Sequence, residues 1–199
     1  MPHIDYYFTT LSPYAYLAAG KFEEIAAKHG ATISYKPFDL IAAFPRTGGQ
    51  PVPQRHESRQ AYRLVELTRQ AKKAKKDFNL KPAHWPTNGA PSCYAIIAAS
   101  KAGGGDLGVL VTSLLRACWA EDKDIAEDAV IKASLQEAGF DPSLADSGLL
   151  TGAETYAANL EEAINRGVFG SPFFIVDGEE KFWGQDRLDD LDAFLAGDL

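Results

Sequence analysis

Sulfur and positive charge are both scarce in this chain. The two cysteines, Cys93 and Cys118, lie far apart and neither belongs to a C-x-x-C pair. That usage fits a reducing compartment and leaves a structural disulfide without support. The four histidines are scattered singly, so no metal-ligand spacing arises from them. Lys and Arg number 20 against 27 Asp and Glu, a net charge of -7, which argues against a nucleic-acid partner. No apolar run approaches the roughly 18–20 residues needed to span a bilayer. Met1-Pro2-His3 lacks the basic start of a signal peptide, and Asp5 interrupts the run that follows. These absences predict a free cytoplasmic protein with no nucleic-acid and no membrane partner. Internal repeats and low-complexity segments are also missing.

What is present is ordinary globular material: 199 residues, 46% hydrophobic and 24% charged, enough for one core or for a domain with a sizeable insertion. Ile4-Asp5-Tyr6-Tyr7-Phe8 is short, aromatic and β-branched, and reads as a buried strand. Ser12 then offers an N-cap and Pro13 a first helical position. The strand thus delivers one hydroxyl to the positive end of a helix dipole. Taken alone, Ser12 is a cap. Ala18, Phe22, Ile25 and Ala26 share a helical face up to a stop at Gly30, and Thr32 to Tyr35 alternates as a second strand ended by Pro37. Strand, helix, strand predicts a right-handed parallel βαβ unit.

The pattern changes from Phe38. Phe44 to Pro53 reads as a Pro/Gly-rich loop, and a long helix is expected from about Arg55 to Asp77, with Tyr62, Val65 and Leu67 inward. Its basic tail, Lys72 to Lys76, reads as solvated dipole compensation. Lys81 to Gly89 is a second loop, and a helix from about Pro91 to Ala102 ends at Gly103-Gly104-Gly105. A glycine triplet that ends a helix instead of following a strand is a poor phosphate loop. Leu107 to Trp119 is the clearest amphipathic helix, with Cys118 on its apolar side as inert core. Two or three shorter helices fill Ile125 to Arg166.

Strand character returns after Gly167. Phe173 to Val176, an Asp177-Gly178 turn and Lys181 to Trp183 form a hairpin, and a last helix opens at Gly184-Gln185-Asp186-Arg187. The fold class is therefore α/β, a thioredoxin-like sheet with an all-helical insertion. Residues 1–37 and 167–199 form the discontinuous sheet domain and 38–166 the insertion.

Ser12-Pro13-Tyr14, Gly167 to Pro172 and Trp183 to Arg187 together resemble the motifs of the 2-hydroxychromene-2-carboxylate isomerases. These are relatives of kappa-class glutathione transferases and of the disulfide oxidoreductase DsbA, and the resemblance spans essentially the whole chain. In the thioredoxin-like arrangement it places Ser12 where an attacking cysteine would stand and Ala15 where its partner would be. With no thiol at either place, the protein cannot itself cycle a disulfide. It can instead stabilise a thiolate carried by a ligand, here glutathione, through the Ser12 hydroxyl.

The resemblance implies further roles. Ser171-Pro172 matches the family's cis-proline, leaving the Ser171 backbone to pair with the cysteinyl part of glutathione. Trp183, Gly184, Gln185 and Asp186 match the stretch that holds the γ-glutamyl end, and Asp186 would in any case make a good helix start. For a small aromatic substrate the resemblance implies the region of Gln54-Arg55 and the loop near His84, Trp85, Thr87 and Asn88. Arg55 is taken for a carboxylate, and Tyr14 or Trp85 for the ring. The relatives carry an asparagine in a Gly-Asn stretch where this chain has Gly48-Gly49.

The expected activity is a glutathione-dependent isomerisation in aromatic catabolism by reversible thiolate addition, without a metal, in a homodimer as in the relatives. The alternatives are a kappa-type glutathione transferase that releases a conjugate, and a glutathione- or ligand-binding module with little turnover.

Overall fold

The apolar run near the start forms β1 (His3–Phe8), buried from Ile4 onward. A computed structural model describes all residues, 1–199. In it α1 (Pro13–Ala18) and α2 (Lys21–Lys28) follow β1, then β2 (Thr32–Pro37), parallel to β1 from His3↔Thr32 to Phe8↔Pro37. The single helix expected up to Gly30 is two. Gly20 sits at φ 82°, a left-handed value that glycine accommodates, and Glu23 accepts its N–H at 2.7 Å to start the second helix.

The segment after Phe38 also differs from expectation. Instead of opening into a loop at Phe44, it forms α3 (Leu40–Thr47), which runs through Pro45. Asp39 caps it by accepting from Ala42 N at 3.0 Å, and Gly48 at φ 82° ends it. A 3₁₀ turn (Val52–Gln54) leads into α4 (Glu57–Ala74). Only Leu67 of its expected inward residues is buried; Tyr62 is 60% and Val65 47% exposed. The packing stripe is narrow: Leu67 and Ala71 against Leu17 of α1. Lys76 is not simply solvated, since its ammonium donates to the Tyr16 and Ala19 carbonyls at 2.6 Å each, closing the carboxyl end of α1.

The helical block continues with α5 (Ala90–Ala102), α6 (Leu107–Trp119), α7 (Asp128–Glu137), α8 (Leu144–Ser147) and α9 (Leu149–Asn165). Of these, α9 is a long helix, unlike the shorter ones expected there. The chain then returns as β3 (Phe173–Val176) and β4 (Glu180–Trp183), a 3₁₀ turn (Gln185–Arg187) and α10 (Leu188–Ala196). The sheet order is β2-β1-β3-β4, with β3 antiparallel to β1 and β4 antiparallel to β3. This is the thioredoxin-like sheet the sequence predicts. No helix is long and apolar enough to cross a membrane.

Alternation along β1 separates two packed faces. Ile4, Tyr6 and Phe8 pack with Phe22, Phe174 and the α5–α6 residues Ile96, Leu110 and Leu114; Tyr6 stacks on Phe8 at 4.5 Å and on Phe174 at 5.1 Å. On the other face Tyr7, Phe173 and Ile175 meet Phe38, Ala163 and Val168. Asp5, on that face, is bonded by Arg166 and lies 3.1 Å from the Lys36 ammonium. Lys36 also reaches Glu162 at 2.5 Å, and the Tyr7 hydroxyl donates to Glu162 at 2.7 Å. Burial pushes the Asp5 carboxyl up, but the Arg166 and Lys36 bonds outweigh it and hold it below its ordinary value. The cluster pins the end of α9 to β1 and β2.

Candidate functional site

At the carboxyl end of β1 the chain opens into a cleft of about 1560 Å³. Single small-molecule pockets usually measure ~300–1,000 Å³, so there is room for two ligands side by side. Its head is residues 9–12. The Ser12 backbone is extended at φ −87°, ψ 118°, and its Oγ accepts from Ala15 N at 3.1 Å, the cap the sequence predicts. The same hydroxyl donates to the Ser171 carbonyl at 3.0 Å, while Thr9 N–H donates to Ser171 Oγ at 3.1 Å. On the insertion side, Thr10 Oγ1 meets Ser92 Oγ at 2.9 Å and Trp85 Nε1 donates to the Leu11 carbonyl at 3.1 Å. Sheet, hairpin and insertion therefore all hold this short segment, and Ser12 is only 5% exposed.

One flank comes from the hairpin. Ser171, Trp183, Gly184, Gln185 and Asp186 line it together with Phe169. Phe169 and Trp183 meet edge to face at 4.8 Å, and Trp183 stays 53% exposed toward the cleft. Gly170 has no room for a side chain, since a Cβ would lie 2.1 Å from Trp183 Nε1. Gly184, at φ 107°, leaves the space that Asp186 Oδ1 occupies, where a Cβ would come within 2.5 Å. Asp186 Oδ2 pairs with Arg187 at 3.1 Å; Oδ1 and the Gln185 amide have no partner within the chain. The Ser171–Pro172 bond is cis, and Pro172 itself is buried behind the wall without lining it.

The opposite flank is built by α1, α3, α4 and the loop before α5. Tyr14, Arg55, Trp85 and Asn88 all line the cleft, with Asn88 Oδ1 accepting from Ala90 N at 3.1 Å. Gln54, expected beside Arg55, does not line it: Gln54 is an exposed residue of the 3₁₀ turn. His84 also lies outside, whereas Thr87 borders the cleft and donates to Asp124 at 2.7 Å. Arg55 gives its Nε–H to the Gln50 carbonyl at 2.8 Å and lies 5.8 Å from the Phe44 ring. Phe44 packs over Gly49: a Cβ there would lie 2.2 Å from Phe44 Cδ1, so any larger residue requires that ring to move. Burial pushes the Tyr14 phenol up, with Arg63 opposing, so it remains a proton donor at neutral pH.

Several cleft residues have no site role in the sequence reading: Thr9, Arg59, Arg63 and Tyr156, and Tyr62, which it places inward. A signal existed for two of the arginines, because Arg59 and Arg63 lie four residues apart and so share one face of α4. Neither cysteine can reach the cleft. Cys93 is fully buried 3.5 Å from Thr10 Oγ1, and Cys118 lies buried in the core. No group of three His, Cys, Asp or Glu is placed to hold a metal ion. The cleft thus combines a buried hydroxyl donor, a free carboxylate oxygen, unpaired guanidinium groups and aromatic walls.

Comparison with known proteins follows the same lines. The profile of one family, the DSBA-like thioredoxin domain, matches residues 3–196. Among curated proteins, the chain is 28% identical to a 2-hydroxychromene-2-carboxylate isomerase of Sphingobium xenophagum, covering 96% of this chain and 97% of that one. It is 37% identical to glutathione S-transferase kappa 1 of Caenorhabditis elegans over a shorter stretch, 36% of this chain and 32% of that one. Among solved structures, a 2-hydroxychromene-2-carboxylate isomerase superposes with a TM-score of 0.80 at 25% identity, covering 98% of this chain and 95% of that one. The cytosolic disulfide reductase DsbM of Pseudomonas aeruginosa, solved with GSH, has a similar fold, with a TM-score of 0.71 at 21% identity over 98% of each chain.

Proposed function

The chain belongs to the DSBA-like thioredoxin family, and because its α1 begins at Ser12 without a sulfur, we propose that it borrows one, as a glutathione-dependent isomerase of the 2-hydroxychromene-2-carboxylate kind. The observation that carries this reading is the cleft itself. It has the volume for glutathione and a second ligand, and a buried hydroxyl, that of Ser12, at its head. The full-length likeness to isomerases of that kind supports the reaction class.

The residues fit the tripeptide. Asp186 Oδ1, free of any partner, is suited to a ligand ammonium, and the Gln185 amide and the amide groups of the turn it opens are suited to the adjoining carboxylate. Ser171 stands between that end and Ser12, where it can meet the cysteinyl part. The Ser12 hydroxyl, by turning from the Ser171 carbonyl, would donate to the ligand's sulfur and favour its thiolate form. When bound, glutathione supplies a thiolate that adds to a conjugated double bond, lets it rotate as a single bond, and leaves again unchanged. Tyr14, Trp85, Asn88 and Arg55 form the other flank, where the aromatic second ligand lies against the rings. We further propose that it acts as a homodimer in the cytoplasm.

The local identity to the kappa transferase supports a second reading, in which a conjugate is released instead. A panel of hydroxychromene carboxylates and related conjugated acids, assayed with and without glutathione, separates the two. Isomerised product with glutathione recovered intact is the expected result. A stable adduct favours the transferase, and turnover indifferent to glutathione sinks both.

A further inference from the structure

Arg63 lies on the cleft-facing side of α4. Its guanidinium is centred 5.3 Å from the Trp85 ring, and it is the strongest charge acting on the buried Tyr14 phenol. It is partly buried, and burial pulls its pKa down. A desolvated cation normally has an anion beside it, yet no carboxylate lies within 4.0 Å of Arg63 and none of its N–H groups has an acceptor in the chain. Glu66, one turn on, accepts from Tyr62 at 3.3 Å and Gln70 at 2.7 Å instead. The other charge felt at Arg63 is Arg55, of the same sign.

Arg59 and Arg69 also lack a partner but are exposed to solvent, whereas the chain's remaining arginines are engaged. Arg46, Arg116, Arg166 and Arg187 all pair with carboxylates. Arg55 has Gln50 and Phe44. Arg63 has an open cleft in front of it, the Trp85 ring 5.3 Å away and Tyr14 lining the same cleft. A planar cation with two free donor edges matches a carboxylate bidentately, and rings at its side suit a flat, conjugated body attached to that carboxylate.

We infer that Arg63 is the specificity-determining anchor for the carboxylate of the second ligand, an aromatic or conjugated carboxylic acid lying against Trp85 and Tyr14. The sequence alone directs that role to Arg55. The inference rests on the proposed function for the presence of a second ligand beside glutathione.

The test is calorimetry with a charged probe and its neutral isostere, 2-naphthoate and 2-naphthamide, on the wild-type chain and on Arg63→Gln, Arg63→Leu and Arg55→Leu. Wild type is expected to prefer the naphthoate by roughly tenfold or more, as one charged bidentate contact does. Arg63→Gln and Arg63→Leu should bring the two affinities together while naphthamide binding and melting temperature stay near wild type. Arg63→Gln keeps the stem against Trp85, so a merely structural Arg63 would leave the preference intact in that variant. Equal affinities in wild type, or a preference that survives in Arg63→Gln but collapses in Arg55→Leu, overturns the assignment. Glutathione is titrated separately. No glutathione binding with the naphthoate preference kept defeats the isomerase reading and leaves Arg63 standing, whereas glutathione binding without the preference does the reverse.

Discussion

Ser12 Oγ and the carbonyl oxygen of Ser171 lie 3.0 Å apart, joined by a hydrogen bond between residues 159 positions apart in sequence. Ser12 is thus a cap to its own helix and a tie to the hairpin at once. For this hydroxyl to donate a hydrogen bond to a thiolate, the tie must open. Since a new acceptor replaces the old one, little is lost: neutral hydrogen bonds are worth ~1 kcal/mol net, and those to charged groups about 1.5–3.

Ser12→Ala removes both bonds. Turnover is expected to fall by roughly 10²–10³, the usual effect of deleting one donor at developing charge. Unfolding should show a loss of about 1 kcal/mol for the cap and a similar amount for the Ser171 bond. Near-normal turnover at saturating glutathione, with stability reduced as stated, makes Ser12 a tether only.

Asp186→Ala should weaken glutathione by about 1.5–3 kcal/mol, read by calorimetry. The Arg187 it leaves behind still has Asp190 at 3.0 Å, so the helix start should survive. Unchanged affinity removes Asp186 from the site.

Both native thiols should be silent. Burial pushes Cys118 up to about 12, and it raises Cys93 against the lowering effect of Thr10. Ellman's reagent at pH 8 should therefore detect neither thiol until the chain is unfolded, and insulin reduction should stay at background. Cys93→Ser with Cys118→Ala should isomerise normally. A folded double variant without turnover would show that a protein thiol does the chemistry.

Acid should loosen the cluster around Asp5. Its folded carboxyl titrates below its unfolded value, so its stabilisation is complete above about pH 4 and disappears as pH falls through the folded pKa. Glu162, where burial is outweighed by Lys36 and Tyr7, adds the same sign. Urea unfolding at neutral pH should place Asp5→Asn roughly 2–4 kcal/mol below wild type, with a shallower loss between pH 5 and 3. Parallel acid profiles for the two proteins would count against the cluster.

The sheet was legible because its signals are local. The aromatic run of β1, the Ser12–Pro13 start and the Asp177-Gly178 turn each declare themselves within a few residues. α3 was not, because Pro45 and the glycines after it look like loop, while the Asp39 cap that sustains the helix is a single common residue. Tyr62 and Arg63 show a second limit. Periodicity finds the faces of α4 but cannot say which one meets a core and which a cavity; that depends on how narrowly Leu67 and Ala71 seat it on α1. Gln54 and Arg55 are neighbours in sequence, yet only Arg55 lines the cleft, a distinction set by the backbone of one 3₁₀ turn.

The pairing of β1 with both β2 and β3 has a consequence in time. β2 follows β1 almost at once, whereas the Ser171 that meets Ser12 comes 159 residues later. At about 5–20 residues per second of synthesis, Ser12 waits roughly 8–30 s for its partner. Throughout that interval β1 has an open edge carrying Tyr6, Tyr7 and Phe8, the kind of strand that invites wrong partners. A nascent chain halted within α9 therefore has neither a closed sheet nor a cleft. Its hazard is aggregation, and chaperone occupancy on ribosome-bound chains should drop only once the hairpin has emerged.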